Sequence, residues 1–143
     1  MKKLLLLFAL VFLTAGCTLD GDDNKVDFTI QYLPTDSVEV PEFMTPGKTY
    51  ALKLYYHRPN TCYYLNNNFY TAAAESSLTI AIESVLLESN NCETPATAVT
   101  ESVTFNFECP LSQTSDSYTF KFFKGNDDYG KQQFTEVKVP VHL

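Results

Sequence analysis

Four cysteines, Cys17, Cys62, Cys92 and Cys109, are the side chains of this 143-residue sequence best suited to covalent chemistry. Cys17 stands apart. It follows Lys2 and Lys3, an apolar run over residues 4–13, and the small residues Ala15 and Gly16. A positive start, a short apolar core and small residues before a fixed point mark an export signal, and the run is too short for a membrane span. Export puts the other thiols where disulfides form, although three cannot all pair within one chain. Little else suggests a reaction. Nucleophilic catalysis needs a nucleophile, a base and an orienting group together, and no G-x-S-x-G motif occurs. Glu101 and Glu108 are too far apart along one extended segment for a simple glycosidase pair. The cysteines lack a close C-x-x-C pair, and His57 and His142 have no obvious partner, so no metal, cofactor or catalytic residue is assigned.

The residues Leu13-Thr14-Ala15-Gly16-Cys17 resemble the lipobox of bacterial lipoproteins, with Thr14 where a leucine is more usual. The resemblance implies cleavage before Cys17 and diacylglycerol on its sulfur, making membrane lipid a partner through Cys17. The expected organisation is a signal peptide over 1–16, a lipidated cysteine with an acidic tether over 17–25, and one domain over 26–143. Several acyl chains, palmitate among them, hold a protein at a bilayer far more durably than one. The stretch Asp20-Gly21-Asp22-Asp23-Asn24 has the composition of a solvated spacer. It also resembles the acidic segment behind the lipid cysteine of surface-displayed Bacteroidetes-type lipoproteins. That implies a lipid-anchored outer-membrane protein, on the surface or the periplasmic face.

Residues 26–143 suffice for one domain and are too few for two good cores. Removing residues 1–16, Lys2 and Lys3 among them, leaves 127 residues in which 8 basic side chains meet 17 acidic ones. This acid excess repels nucleic acid, and no basic cluster offers a grip on phosphate. The composition does not fix an oligomeric state.

The elements that must position these residues read as strands. Over residues 48–57, Tyr50, Leu52, Leu54 and Tyr56 share one face, with Ala51, Lys53, Tyr55 and His57 opposite; a helix would scatter them. Val103, Phe105, Phe107 and Cys109 form a second such row. Tyr118, Phe120 and Phe122 form a third, and Val137, Val139 and Val141 a fourth. Val26, Phe28, Ile30 and Tyr32 align in an earlier segment, and a short piece near Val38 stops at Pro41. Leu78, Ile80 and Ile82 begin another strand, in which Val85 and Leu87 change parity, so a bulge is expected near Glu83 or Ser84. Ala72-Ala73-Ala74-Glu75 is the one stretch suited to a helical turn. Pro46-Gly47, Pro59-Asn60, Asn90-Asn91 and the segment from Gly125 to Gly130 supply turns. The predicted fold is all-β, an antiparallel immunoglobulin-like β-sandwich of about seven strands, with a jelly roll or small barrel as the alternative. The residues Pro46-Gly47-Lys48-Thr49-Tyr50, Pro59-Asn60-Thr61-Cys62 and the run over 120–125 also resemble immunoglobulin-like lipoproteins of Bacteroidetes. That likeness implies a fold and an exported setting, and supplies no reaction.

Strand directions bear on the thiols. If residues 48–57 run up, the chain reaches the top at Cys62, descends, rises again and returns to the top at Cys92. Cys62–Cys92 is then the expected bridge, with Cys92–Cys109 as the competing pair and Cys109 otherwise a buried thiol. Aromatic residues provide the remaining functional candidates. Tyr55, Tyr63, Tyr64, Phe69, Tyr70 and Phe123 cannot all point into one core, because neighbours in a strand face opposite ways. Tyr55, Tyr64 and Phe123 are the expected exposed binding residues, able to stack on sugar rings or bury against a protein. Packing at the domain rim is the favoured explanation of such rings, with binding the alternative. The Asn126-Asp127-Asp128 turn could offer oxygens to calcium, although ordinary turn chemistry accounts for it. Together the readings give an envelope-anchored protein with a non-catalytic binding or structural domain, partnered by glycan or envelope protein. A glycan- or peptide-binding surface accessory is the alternative, and a hydrolase a remoter one.

Overall fold

A computed structural model describes residues 27–88 and 91–143. The signal and tether residues, with Cys17 and Val26, lie outside the described residues. Among the described residues eight strands follow one another: β1 (Phe28–Leu33), β2 (Ser37–Glu39), β3 (Thr49–Tyr56), β4 (Tyr63–Ala74), β5 (Ser77–Leu87), β6 (Glu101–Glu108), β7 (Ser117–Asn126) and β8 (Gln132–Pro140). They form an all-β, sandwich-like pair of sheets. The smaller sheet has the order β2-β3-β6 and is antiparallel. In the larger, five-stranded sheet, β4 covers one edge of β5. The other edge is shared end to end: β1 pairs with Ile82–Leu87, β7 pairs with Ser77–Ile80, and β8 follows β7.

The alternating rows fill the space between the sheets. Leu52, Leu54 and Tyr56 of β3 meet Tyr118, Phe120 and Phe122 of β7, with Val103 and Phe107 of β6 and Val139 of β8 in the same buried cluster. Phe107 carries much of the contact between layers. Its ring stands 4.9 Å from Phe120 at 90°, and 4.9 Å from Tyr118 at 45°. Phe69 and Phe105 meet edge-on across the sheets at 5.1 Å. Such edge-to-face contacts add to the gain from apolar burial.

Three expectations are corrected. The larger sheet is mixed rather than antiparallel, because β5 and β7 run parallel. The cause is topological: after β5 the chain crosses to the smaller sheet for one strand, β6, and returns in the direction in which it left. Second, β5 has no bulge at Glu83 or Ser84. Ser84 keeps the inward parity and is fully buried, its hydroxyl donating to the Gln31 carbonyl at 3.1 Å. The irregularity belongs to the partner strand, where Asn66, Asn67 and Asn68 of β4 stand against Glu83 alone, and Asn67 takes φ 58°. Asparagine tolerates that left-handed conformation better than most residues. Third, Ala72, Ala73 and Ala74 lie in β4 rather than in a helical turn. Pairing to Thr79, Leu78 and Ser77 of β5 overrides their helix propensity.

The Pro46-Gly47 turn is required in its sequence. Lys48 N–H donates to the Thr45 carbonyl at 3.3 Å, Gly47 has φ 77°, and a Cβ there would lie 2.8 Å from Leu111 Cδ2. Proline before a positive-φ glycine suits a type II turn. At the other end of the fold, Cys62 and Cys92 form a disulfide with Cα atoms 5.3 Å apart. Cys109 is a fully buried free thiol, raised above its usual pKa by that burial.

If the cross-sheet rings hold the layers together, Phe120→Ala should cost roughly 3–5 kcal/mol. Thr119→Ala, one residue away on the outer side, should stay within about 0.5 kcal/mol. Urea unfolding followed by circular dichroism measures both; equal effects would contradict the assigned inward and outward faces.

Candidate functional site

The residues that point away from the core on the larger sheet make its outer face. β1 gives Phe28, Ile30 and Tyr32; their register partners on β5 are Leu87, Val85 and Glu83. β4 places Tyr64 opposite Val85 and Tyr70 opposite Ala81. β7 and β8 add the Phe123–Phe134 pair, whose ring centroids lie 6.1 Å apart. The row Tyr64–Val85–Ile30 therefore crosses three strands without a charged group. Phe28 at 62%, Ile30 at 46% and Tyr64 at 51% are substantially exposed.

Beside this row lies a groove of about 430 Å³, lined by Tyr32, Tyr70, Phe123 and Phe134 with Ala72, Ala81, Thr79 and Gln132. Tyr32 stands 5.6 Å from Tyr70 and 6.3 Å from Phe123. The groove forms where β1 ends and β7 takes over the edge of β5, so rings from four strands converge on a step in the sheet. Its small floor residues, Ala72 and Ala81, leave the aromatic walls standing. Thr79 and Gln132 supply the polar groups. No Lys, Arg, Asp or Glu lines it. Lys121 and Glu136 pair with each other at 3.0 Å on the same face.

The three aromatics expected to bind do not come together. Tyr55 is on the outer face of the smaller sheet, where its hydroxyl donates to Glu39 and Lys53 Nζ sits 4.8 Å from its ring centroid. Tyr64 is on the larger sheet but does not line the groove. Phe123 faces outward yet is only 6% exposed, because Tyr32 and Phe134 flank it. It closes the base of the groove beside Ala81 rather than offering a free surface. Tyr32 and Phe134 were not singled out by the sequence. Tyr32 belongs to the Phe28–Ile30 row, but period two does not distinguish an outward row from an inward one, and Phe134 stands alone among polar residues with no periodic signal.

A polar cluster occupies the disulfide end. Arg58 Nε donates to Glu101 at 2.6 Å, its Nη1 reaches the Tyr63 carbonyl at 3.3 Å, and Tyr56 O–H donates to the other Glu101 oxygen at 3.2 Å. Glu101 is thereby engaged, and Glu108 lies at the opposite end of β6. Asp127 is engaged as well. Its carboxylate accepts from Tyr129 N–H, Lys131 N–H and Gln133 Nε2 at 2.9–3.0 Å, so it serves the turn. Among the described residues, no three His, Cys, Asp or Glu gather to hold a metal ion. Comparison with protein-family models, curated proteins and solved structures finds no match.

Burial pushes the Tyr56 phenol up to about 12, with the Glu101 charge and hydrogen bond acting in the same sense and Arg58 against them. The unfolded chain loses this proton near its ordinary pKa of 10.0, whereas the folded chain keeps it to about 12. Stability should therefore be intact below pH 10.0 and fall as pH rises towards about 12. Tyr56→Phe should flatten that decline in urea melts across the window. A slope identical to that of the parent would show that other groups cause it.

Proposed function

We propose that this chain is a Bacteroidetes-type envelope lipoprotein, held to membrane lipid through Cys17. Its immunoglobulin-like sandwich acts as a non-catalytic module that binds carbohydrate in the Tyr32–Tyr70–Phe134 groove. The lipobox-like residues 13–17 support the anchor. One observation carries the binding assignment: exposed aromatic walls rise over small residues, with two uncharged hydrogen-bonding side chains beside them. Sugar rings offer apolar C–H faces to aromatic rings and hydroxyl groups to side chains such as Gln132 and Thr79. The absence of charge from the lining favours a neutral glycan over an ionic ligand. The lining pairs no acid with a base, which supports recognition rather than turnover.

Two measurements test the two halves of this reading. Calorimetric titration with neutral gluco-, manno- and xylo-oligosaccharides should find saturable binding, weakened about tenfold or more by Tyr70→Ala and by Phe134→Ala. Tyr55→Ala should leave affinity unchanged. Binding indifferent to Tyr70 and Phe134, or no binding to any of these sugars, overturns the groove assignment. Mass spectrometry of cell-derived protein should find Cys17 as an acylated first residue; an unacylated Cys17 within an intact N-terminus overturns the anchor.

A further inference from the structure

The outer edge of β4 has the properties of a strand waiting for a partner. β4 ends the larger sheet, and only its β5 side is paired among the described residues. Its twelve residues contain no charge and no proline. The larger sheet's other free edges belong to β8, which carries Glu136, Lys138 and Pro140, and to β1, which is uncharged but at six residues is half the length of β4. In the smaller sheet, β2 is three residues long and β6 has a glutamate at each end. Charges, prolines and shortness are the means by which exposed edges resist pairing. β4 has one such device, the Asn66–Asn68 irregularity, and it protects only the first part of the strand. The stretch Phe69-Tyr70-Thr71-Ala72-Ala73-Ala74 beyond it is regular, and all but Phe69 of it is exposed.

We propose that this stretch pairs with its own counterpart in a second copy of the chain, antiparallel and centred on Thr71. The residue order supports a second copy over an unrelated peptide. A two-fold axis at Thr71 sets Tyr70 against Ala72 of the other copy, and Phe69 against Ala73. Each large ring then faces a methyl group, whereas a shift of register by two residues would set ring against ring or leave methyl against methyl. Thr71 meets its equivalent, a favourable cross-strand pair. Glu75 falls beyond the regular pairs, towards the other copy's asparagine irregularity rather than its Glu75, so an acidic protein meets itself here without direct repulsion. Such an interface is isologous and closes at two subunits.

The pairing joins two five-stranded sheets into one continuous sheet with both outer faces on the same side. Tyr70 and Ala72 line the groove of their own copy and lie directly beside the axis. The two grooves thus become neighbours, each bordered by a residue of the other copy. This holds whatever the groove binds, and it does not depend on the carbohydrate reading.

Full chain in detergent, with Thr71→Cys introduced, tests the geometry directly. Residues facing each other across antiparallel strands have Cα atoms about 4.5–5.5 Å apart, within the range a disulfide spans. Mild oxidation should give a covalent dimer well above the parent's background, and Lys138→Cys on β8 should not. Sedimentation in density-matched detergent should show a reversible dimer in the parent, weakened tenfold or more by Thr71→Lys, which places like charges at the axis. Circular dichroism confirms that Thr71→Lys is folded; if it is not, Ala73→Lys replaces it. A parent that remains monomeric, a dimer indifferent to both lysine variants, or cross-linking through Lys138→Cys instead overturns the proposal.

Discussion

The perpendicular contact of Phe107 with Phe120 sets the relation between the two sheets, and most other placements follow from it. Facing sheets lie about 10 Å apart, a distance that aliphatic side chains fill only by interdigitation. Here β6 and β7 fill it with rings, Phe107 standing against both Tyr118 and Phe120. Once Tyr118, Phe120 and Phe122 are committed inward, the strand period leaves Thr119, Lys121 and Phe123 no choice but the outer face. Phe123 is therefore where it is because of what its neighbours do inside. The base of the groove is a by-product of core packing.

The step in the larger sheet has an equally mechanical origin. One excursion to the smaller sheet brings β7 back parallel to β5, on an edge whose other half β1 already holds. Two strands cannot occupy one position, so they meet end to end near Leu33 and Ile80–Ile82 of β5, and Thr35 N–H donates across to the Phe123 carbonyl at 2.8 Å. A continuous strand would have presented a flat row of side chains there. The junction instead brings Tyr32 and Phe123 together from unconnected strands. Parallel pairing and the aromatic groove are two consequences of the same crossing.

Much of the fold was legible in the chain because it depends on local alternation. The rows of β3, β6, β7 and β8 stand as their residue types suggest, and Cys62 and Cys92, both read to the same end, are bonded. What was misread depends on partners. In β5, Val85 and Leu87 suggested a parity change because they are apolar, yet they face outward and Ser84 faces in. The hydroxyl is tolerated there because the Gln31 carbonyl of β1 lies within reach. Likewise, no local property of Ala72-Ala73-Ala74 reports that β5 lies alongside. Tyr55, Tyr64 and Phe123 all point away from the space between the sheets, yet Phe123 is buried by its neighbours and Tyr55 lies on the other sheet; assembly on one surface is a matter of sheet order, which composition does not encode.

The outer aromatic face also explains a feature of the larger sheet that the core does not. Large apolar side chains on a solvent-facing sheet gain little from burial, and Phe28, Ile30, Tyr64 and Tyr70 remain exposed. Their mutual contacts recover part of that loss, as in the Tyr32–Tyr70 and Phe123–Phe134 pairs. A face needing only solubility would resemble its own lower part, where Lys121 bonds Glu136 across β7 and β8. The change from charged pair to ring cluster occurs within two residues along β7, from Lys121 to Phe123, at the point where β1 replaces β7 beside β5. Chemistry and topology change together on this face, and that coincidence gives the groove its shape and its uncharged walls.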